Sequence, residues 1–261
     1  MAEHSSFYRD LGDGLFASTH STAGPWSPQL QHAGPPSALL GRAFERHQPR
    51  EGMRVARVTL EIPRPVPVAD LEVRVRTLHS GRSAEILEGE LVADGRPVML
   101  ARAWRLAAAP ADTPSLNPAP AAPPLPGPQP FEPLKGAYAD GYVSAMEWRN
   151  AEGGFNVPGP GTVWGRQRIP LVADEPDTPL TRALTIADSN WAVAFELDHV
   201  ARLVINTDVT LALPRDPVGP WLCLRAATTA APTGSGLASG ELHDTTGECG
   251  RILQTLIVAE R

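Results

Sequence analysis

The chain has 261 residues, 42% of them hydrophobic and 20% charged, enough apolar material for one large domain or two small ones. A net charge of −6, with no basic tract interleaved with aromatics, argues against nucleic acid as the main partner. No apolar run approaches the roughly 18–20 residues that span a bilayer, so no membrane partner is expected. The opening residues Met1 to Ser6 lack the positive start and apolar core of a signal peptide, and a cytoplasmic protein is the expectation. Cys223 and Cys249 have no CxxC spacing and read as small core or surface residues.

In chain order, the stretches Phe7 to Leu11 and Leu15 to Thr19 lead into Gly34-Pro35-Pro36-Ser37, where proline suits a first helical turn. Leu39, Leu40, Ala43 and Phe44 follow at helical spacing, which predicts a helix running to Arg46. Val55 to Ile62 and Leu71 to Leu78 alternate apolar and polar residues, as antiparallel strands with one wet face do. Ser83 to Val92 and Pro97 to Leu106 continue a meander through Asp94-Gly95, a strong hairpin signal. Ten prolines then crowd the segment from Pro110 to Pro133. Proline removes the backbone donor and fixes φ, so this segment is read as an extended surface linker. It separates an N-terminal unit, 1–109, from a C-terminal unit, 134–261.

The second unit repeats the order of the first. Tyr142 to Trp148 and Thr162 to Ile169 read as strands, Leu180 to about Phe195 as a helix. Strands follow over Leu203 to Leu213, Trp221 to Thr228, Gly236 to His243 and Arg251 to Val258. Leu60-Glu61-Ile62-Pro63-Arg64 recurs as Leu211-Ala212-Leu213-Pro214-Arg215, and Gly89-Glu90-Leu91 as Gly240-Glu241-Leu242, both at an offset of 151. One shared offset points to a duplicated unit. A helix followed by an antiparallel meander, twice over, is an α+β arrangement in which each helix buries its apolar stripe against a curved sheet.

This order resembles the hot-dog fold, and two copies in one chain resemble the double hot-dog acyl-CoA thioesterases of the thioesterase II type. The resemblance rests most on Thr77 to Ser83 running through Asp94-Gly95-Arg96-Pro97 to Ala103, and on Trp26 followed by His32-Ala33-Gly34-Pro35-Pro36. It implies two antiparallel sheets, each wrapped around a long helix and fused in one chain. It also implies an enzyme of lipid metabolism that takes acyl-CoA as substrate and needs no cofactor or metal. The family's Asp falls at Asp188, its Gln at Gln254, and its Ser or Thr at Asn206 or, one residue on, Thr207. His32 and Gly34 stand where the substrate would touch the first unit.

The residue types suit the chemistry. A thioester needs a positioned water, a proton acceptor and stabilisation of the developing oxyanion. A carboxylate supplies the acceptor, amides orient the water, and backbone N–H groups at a helix N-terminus stabilise the oxyanion. Subtracting the repeat offset takes Asp188 to Ser37 and Gln254 to Ala103, so one site per chain is expected, in the second unit. The seven histidines show no metal-ligand spacing, and neither Ser37 nor Ser83 sits in a GxSxG elbow. A non-catalytic acyl-binding protein with a degenerate site is the alternative. Acyl length, CoA against carrier-protein thioesters, and assembly into homo-oligomers are left open by the sequence.

Overall fold

A computed structural model describes residues 5–114, 120–197 and 201–260, so Pro118 and the first four residues read above lie outside the described part. The first half carries β1 (Tyr8–Gly12), β2 (Leu15–Ser18), helix α1 (Gly34–Arg46), β3 (Met53–Glu61), β4 (Asp70–Ser80), β5 (Ala84–Ala93) and β6 (Arg96–Ala107). Asp94 and Gly95 both take positive φ, 48° and 71°, as a tight two-residue hairpin requires. The second half carries α2 (Tyr142–Ala145), β7 (Met146–Glu152), β8 (Gly161–Gln167), α3 (Pro179–Ala187), α4 (Asn190–Val193), β9 (Arg202–Asn206), β10 (Asp208–Ala212), β11 (Leu222–Ala230), β12 (Ser235–Asp244) and β13 (Gly247–Glu260).

The strands do not form the two separate sheets expected. They make one antiparallel sheet of 13 strands in the order β1-β2-β4-β5-β6-β3-β10-β13-β12-β11-β8-β7, with β9 added on β13. The two halves join where β3 pairs with β10. An open edge on either half would leave a row of backbone donors and acceptors unpaired, and this junction removes both edges. Thr59 lies opposite Thr210 and their hydroxyls are 3.3 Å apart, at the same separation of 151 residues that relates the sequence repeats. The pseudo-twofold relating the copies therefore passes through this pair. Val58, Leu60, Val209 and Leu211 bury their side chains at the seam.

Helix α1 packs on β3, β4 and β5, α3 packs on β8, β10 and β11, and the two helices pack on each other. Their approach is close because Gly34 and Gly41 face the crossing. A Cβ on Gly34 would stand 2.2 Å from Thr185 O, and one on Gly41 would stand 2.3 Å from a Leu184 methyl.

Three elements differ from expectation. The second helix is not continuous: α3 stops at Ala187 and α4 starts at Asn190, because Ser189 N–H turns back to Ile186 O at 3.0 Å and tightens the last turn. Tyr142 to Ala145 coils into a helical turn before β7, after Gly141 at φ 145°. The run from Leu203 to Leu213 breaks at Thr207, where the Asp208 carboxylate accepts the Thr255 N–H at 2.8 Å. The described part of the linker has no regular structure, yet it is not merely a surface cover. Ala122 and Leu125 pack on Trp164, Trp221 and Cys223, and Phe131 meets Phe155 edge-on. No helix among the described residues is long and apolar enough to cross a membrane.

Candidate active site

The break between α3 and α4 sets Asp188 into the wall of a cavity of about 280 Å3. Trp26, Leu30, Val66, Phe131, Trp148 and Phe155 give that cavity an apolar lining. Its polar groups include Asp188, Asn206, Thr207 and His32, and residues from both halves and from the linker contribute. Asp188 is only 5% exposed. A carboxylate so buried needs a donor, and Asn206 supplies one. Asn206 donates Nδ2–H to Oδ1 at 2.8 Å, and His32 Nδ1 is 3.2 Å from Oδ2.

Gln254 is fully buried on β13, between the inward-facing Ile252 and Leu256. Its carbonyl accepts the Trp191 N–H at 3.0 Å, and its amide nitrogen is 3.2 Å from Asp188 O and 3.5 Å from Oδ1. Both ends of the amide thus satisfy groups released by the helix break, and Gln254 holds Asp188 from behind without lining the cavity. Thr207 does line it, but its hydroxyl turns to Asp208 Oδ1 and Thr255 O. Of the two neighbours on this strand, Asn206 is the one that reaches the carboxylate.

His32 lines the cavity from the first half, its ring stacked on Tyr142 with centroids 3.7 Å apart and planes 12° from parallel. Burial lowers its pKa, with the Asp188 charge pulling the other way. Gly34 lies beside it at the start of α1, and its N–H donates to His32 Nδ1 at 3.1 Å. Gly34 is packed against α3 and does not line the cavity, whereas the preceding Ala33 does.

Several cavity residues carried no signal in the sequence. Tyr142 bonds Thr185 O and Ser189 Oγ, both at 2.9 Å, and burial pushes its hydroxyl pKa well above the ordinary value. Trp191 stacks on Trp26 at 5.8 Å and lines the cavity. Phe131 enters from the proline-rich segment. Trp164, Trp221 and the two cysteines are core, and burial raises both thiols to about 12, far from a nucleophilic range.

The repeat offset holds for β13, whose register places Gln254 where β6 has Ala103, but not for the helices. With the N-caps Ala33 and Thr178 superposed, Asp188 falls at Ala43 and not at Ser37. Neither position carries a carboxylate. Among the described residues Glu241, His243 and Glu248 also converge, but Arg251 already neutralises both carboxylates, 3.1 Å from one and 2.6 Å from the other.

Fold and site together define a class: an α+β hot-dog-type protein built twice over in one chain, with a single carboxylate set against an apolar cavity. Residues 110–258 match the model of the acyl-CoA thioesterase C-terminal domain, and residues 22–106 that of the acyl-CoA thioesterase N-terminal domain. The chain belongs to the acyl-CoA thioesterase family. Among solved structures it is similar to a Novosphingobium aromaticivorans protein assigned as a thioesterase (20% identity, TM-score 0.73, 96% of this chain and 98% of that one). It is also similar to acyl-CoA thioesterase II TesB2 of Mycobacterium marinum (14%, 0.67, 97% and 95%). A hot-dog protein of unknown function from Alicyclobacillus acidocaldarius aligns comparably (16%, 0.69, 97% and 96%). At such identities these likenesses establish the fold. No curated protein matches the chain in sequence.

Proposed function

We propose that the protein hydrolyses acyl-CoA to free acid and CoA, with the acyl group in the apolar cavity and Asp188 as the base that activates water. The unit 134–261 supplies the carboxylate, the unit 1–109 supplies the opposite wall, and the segment 110–133 closes one side. One observation carries this reading: a nearly buried carboxylate, fixed by an amide donor on a neighbouring strand, faces a cavity large enough for an acyl chain. Asn206 fixes Oδ1 and leaves Oδ2 for proton transfer, which needs a base held within hydrogen-bond reach of the water. The N-terminus of α1, with Ala33 at the cavity wall, directs its positive end toward the thioester carbonyl and favours the oxyanion.

Thiol release from a panel of acyl-CoAs tests the activity. Asp188→Asn is expected to lower kcat by about 10²–10⁴-fold, the range for losing a general base, with an unchanged circular dichroism spectrum. An Asp188→Asn variant as fast as the wild type would overturn the assignment. The engagement of both ends of Gln254 favours one competing reading, an acyl-binding protein without turnover. Tight acyl-CoA binding with no thiol release from the wild type would establish that reading instead.

A further inference from the structure

The contact between His32 and Asp188 is not an ordinary hydrogen bond. Gly34 N–H donates to His32 Nδ1 at 3.1 Å, so in the neutral ring Nδ1 carries a lone pair and the proton sits on Nε2. Asp188 Oδ2 stands 3.2 Å from the same nitrogen. Two lone pairs at that distance repel, and the pair becomes a hydrogen bond only when a proton lies between them. Asn206 already occupies Oδ1 and the stack on Tyr142 fixes the ring plane, so a proton on Oδ2 would share the Nδ1 lone pair with the Gly34 N–H in a three-centre contact.

We propose that His32 is a positioning residue that shares a proton with Asp188 during turnover, which makes the acceptor a carboxylate–imidazole pair contributed by both halves of the chain. This rests on the thioesterase reading above. As water oxygen attacks the acyl carbon, one water proton passes to Asp188 Oδ2 and is held against His32 Nδ1. When the C–S bond breaks, its electron pair goes to sulfur and the shared proton, taken from water, passes to that sulfur. The products are carboxylic acid and thiol, with both side chains restored. Among the described residues, the titratable groups against His32 are Asp188, from the α3–α4 junction, and Tyr142, from α2. Tyr142 stays protonated throughout, so Asp188 is the group that couples to the ring.

The test combines kinetics with a readout independent of turnover. His32→Leu is expected to lower kcat about 100-fold with KM nearly unchanged, and to shift the acidic limb of the kcat–pH profile. His32→Asn keeps a nitrogen near the Nδ1 position but cannot take up a proton, and is expected to be as slow. In full-length protein labelled with 15N-histidine, the His32 Nδ1 resonance should report a lone pair near neutral pH and should move in Asp188→Asn. Wild-type kcat and pH profile in His32→Asn would overturn the proposal by reducing His32 to a spacer. So would an Nδ1 that stays protonated and is indifferent to Asp188→Asn. If the wild type released no thiol, the thioesterase reading would fail by itself while the resonance still decided the proton sharing.

Discussion

Gln254 shows how a buried amide serves a site without entering it. The break between α3 and α4 frees the Trp191 N–H and the Asp188 carbonyl in a water-free place, and one side chain satisfies both. Gln254→Leu, close in size, would leave those two groups unpaired at about 1–3 kcal/mol each, so a loss of about 3 kcal/mol in urea unfolding is expected. Thiol release should also fall, because the backbone that aims Asp188 would relax. In the sequence this residue is ambiguous. Its strand carries apolar residues on both faces, Ile252 and Leu256 inward, Leu253 and Ile257 outward and over a third exposed, so alternation does not say which side Gln254 takes. Asn206 and Thr207 pose the same difficulty. The strand breaks between them and β10, and only the break decides which side chain turns to Asp188.

Among the elements, the proline-rich linker departs most from a plain reading of its composition. Its prolines do keep it out of the sheet, but Phe131 reaches the cavity and packs near Trp148 and Phe155. The linker therefore bears on what the cavity holds. Phe131→Ala should open space for one or two more methylenes, each worth about 1–3 kcal/mol of discrimination in an apolar pocket. The kcat/KM optimum measured across straight-chain acyl-CoAs is expected to move to longer chains by that amount. An unchanged optimum would place the acyl chain elsewhere. The helices carry a second element-scale lesson. Helical spacing from Leu180 to Trp191 is real in the sequence, but the helix pauses at Asp188-Ser189, and that pause sets Asp188 at the cavity wall.

At the scale of the molecule, the duplication is resolved into one sheet. Because β3 and β10 exchange backbone hydrogen bonds and bury Val58, Leu60, Val209 and Leu211 together, neither half ends where the other begins. A single cooperative transition is expected in calorimetry, with calorimetric and van't Hoff enthalpies in agreement. Two resolved transitions would mean that the seam contributes little. The same seam lets residues of both halves meet at the candidate site. Asp188, Asn206 and Gln254 come from the second half, while His32 and Ala33 come from the first.

Periodicity, the proline run and the shared offset are local properties of the chain, and they were enough to define the two copies, the meanders and most element positions. The candidates at 188, 206 and 254 came from the family resemblance, and the repeat offset supported only Gln254, since β13 keeps that offset against β6 and the helices do not. What folding alone decided are the relations between distant segments. These are the joining of β3 to β10, the approach of His32 Nδ1 to Asp188 Oδ2 at 3.2 Å, and the entry of Phe131 into the cavity. Each depends on packing between residues far apart in the chain, where a distance of a few tenths of an ångström changes the chemistry and no local pattern encodes it.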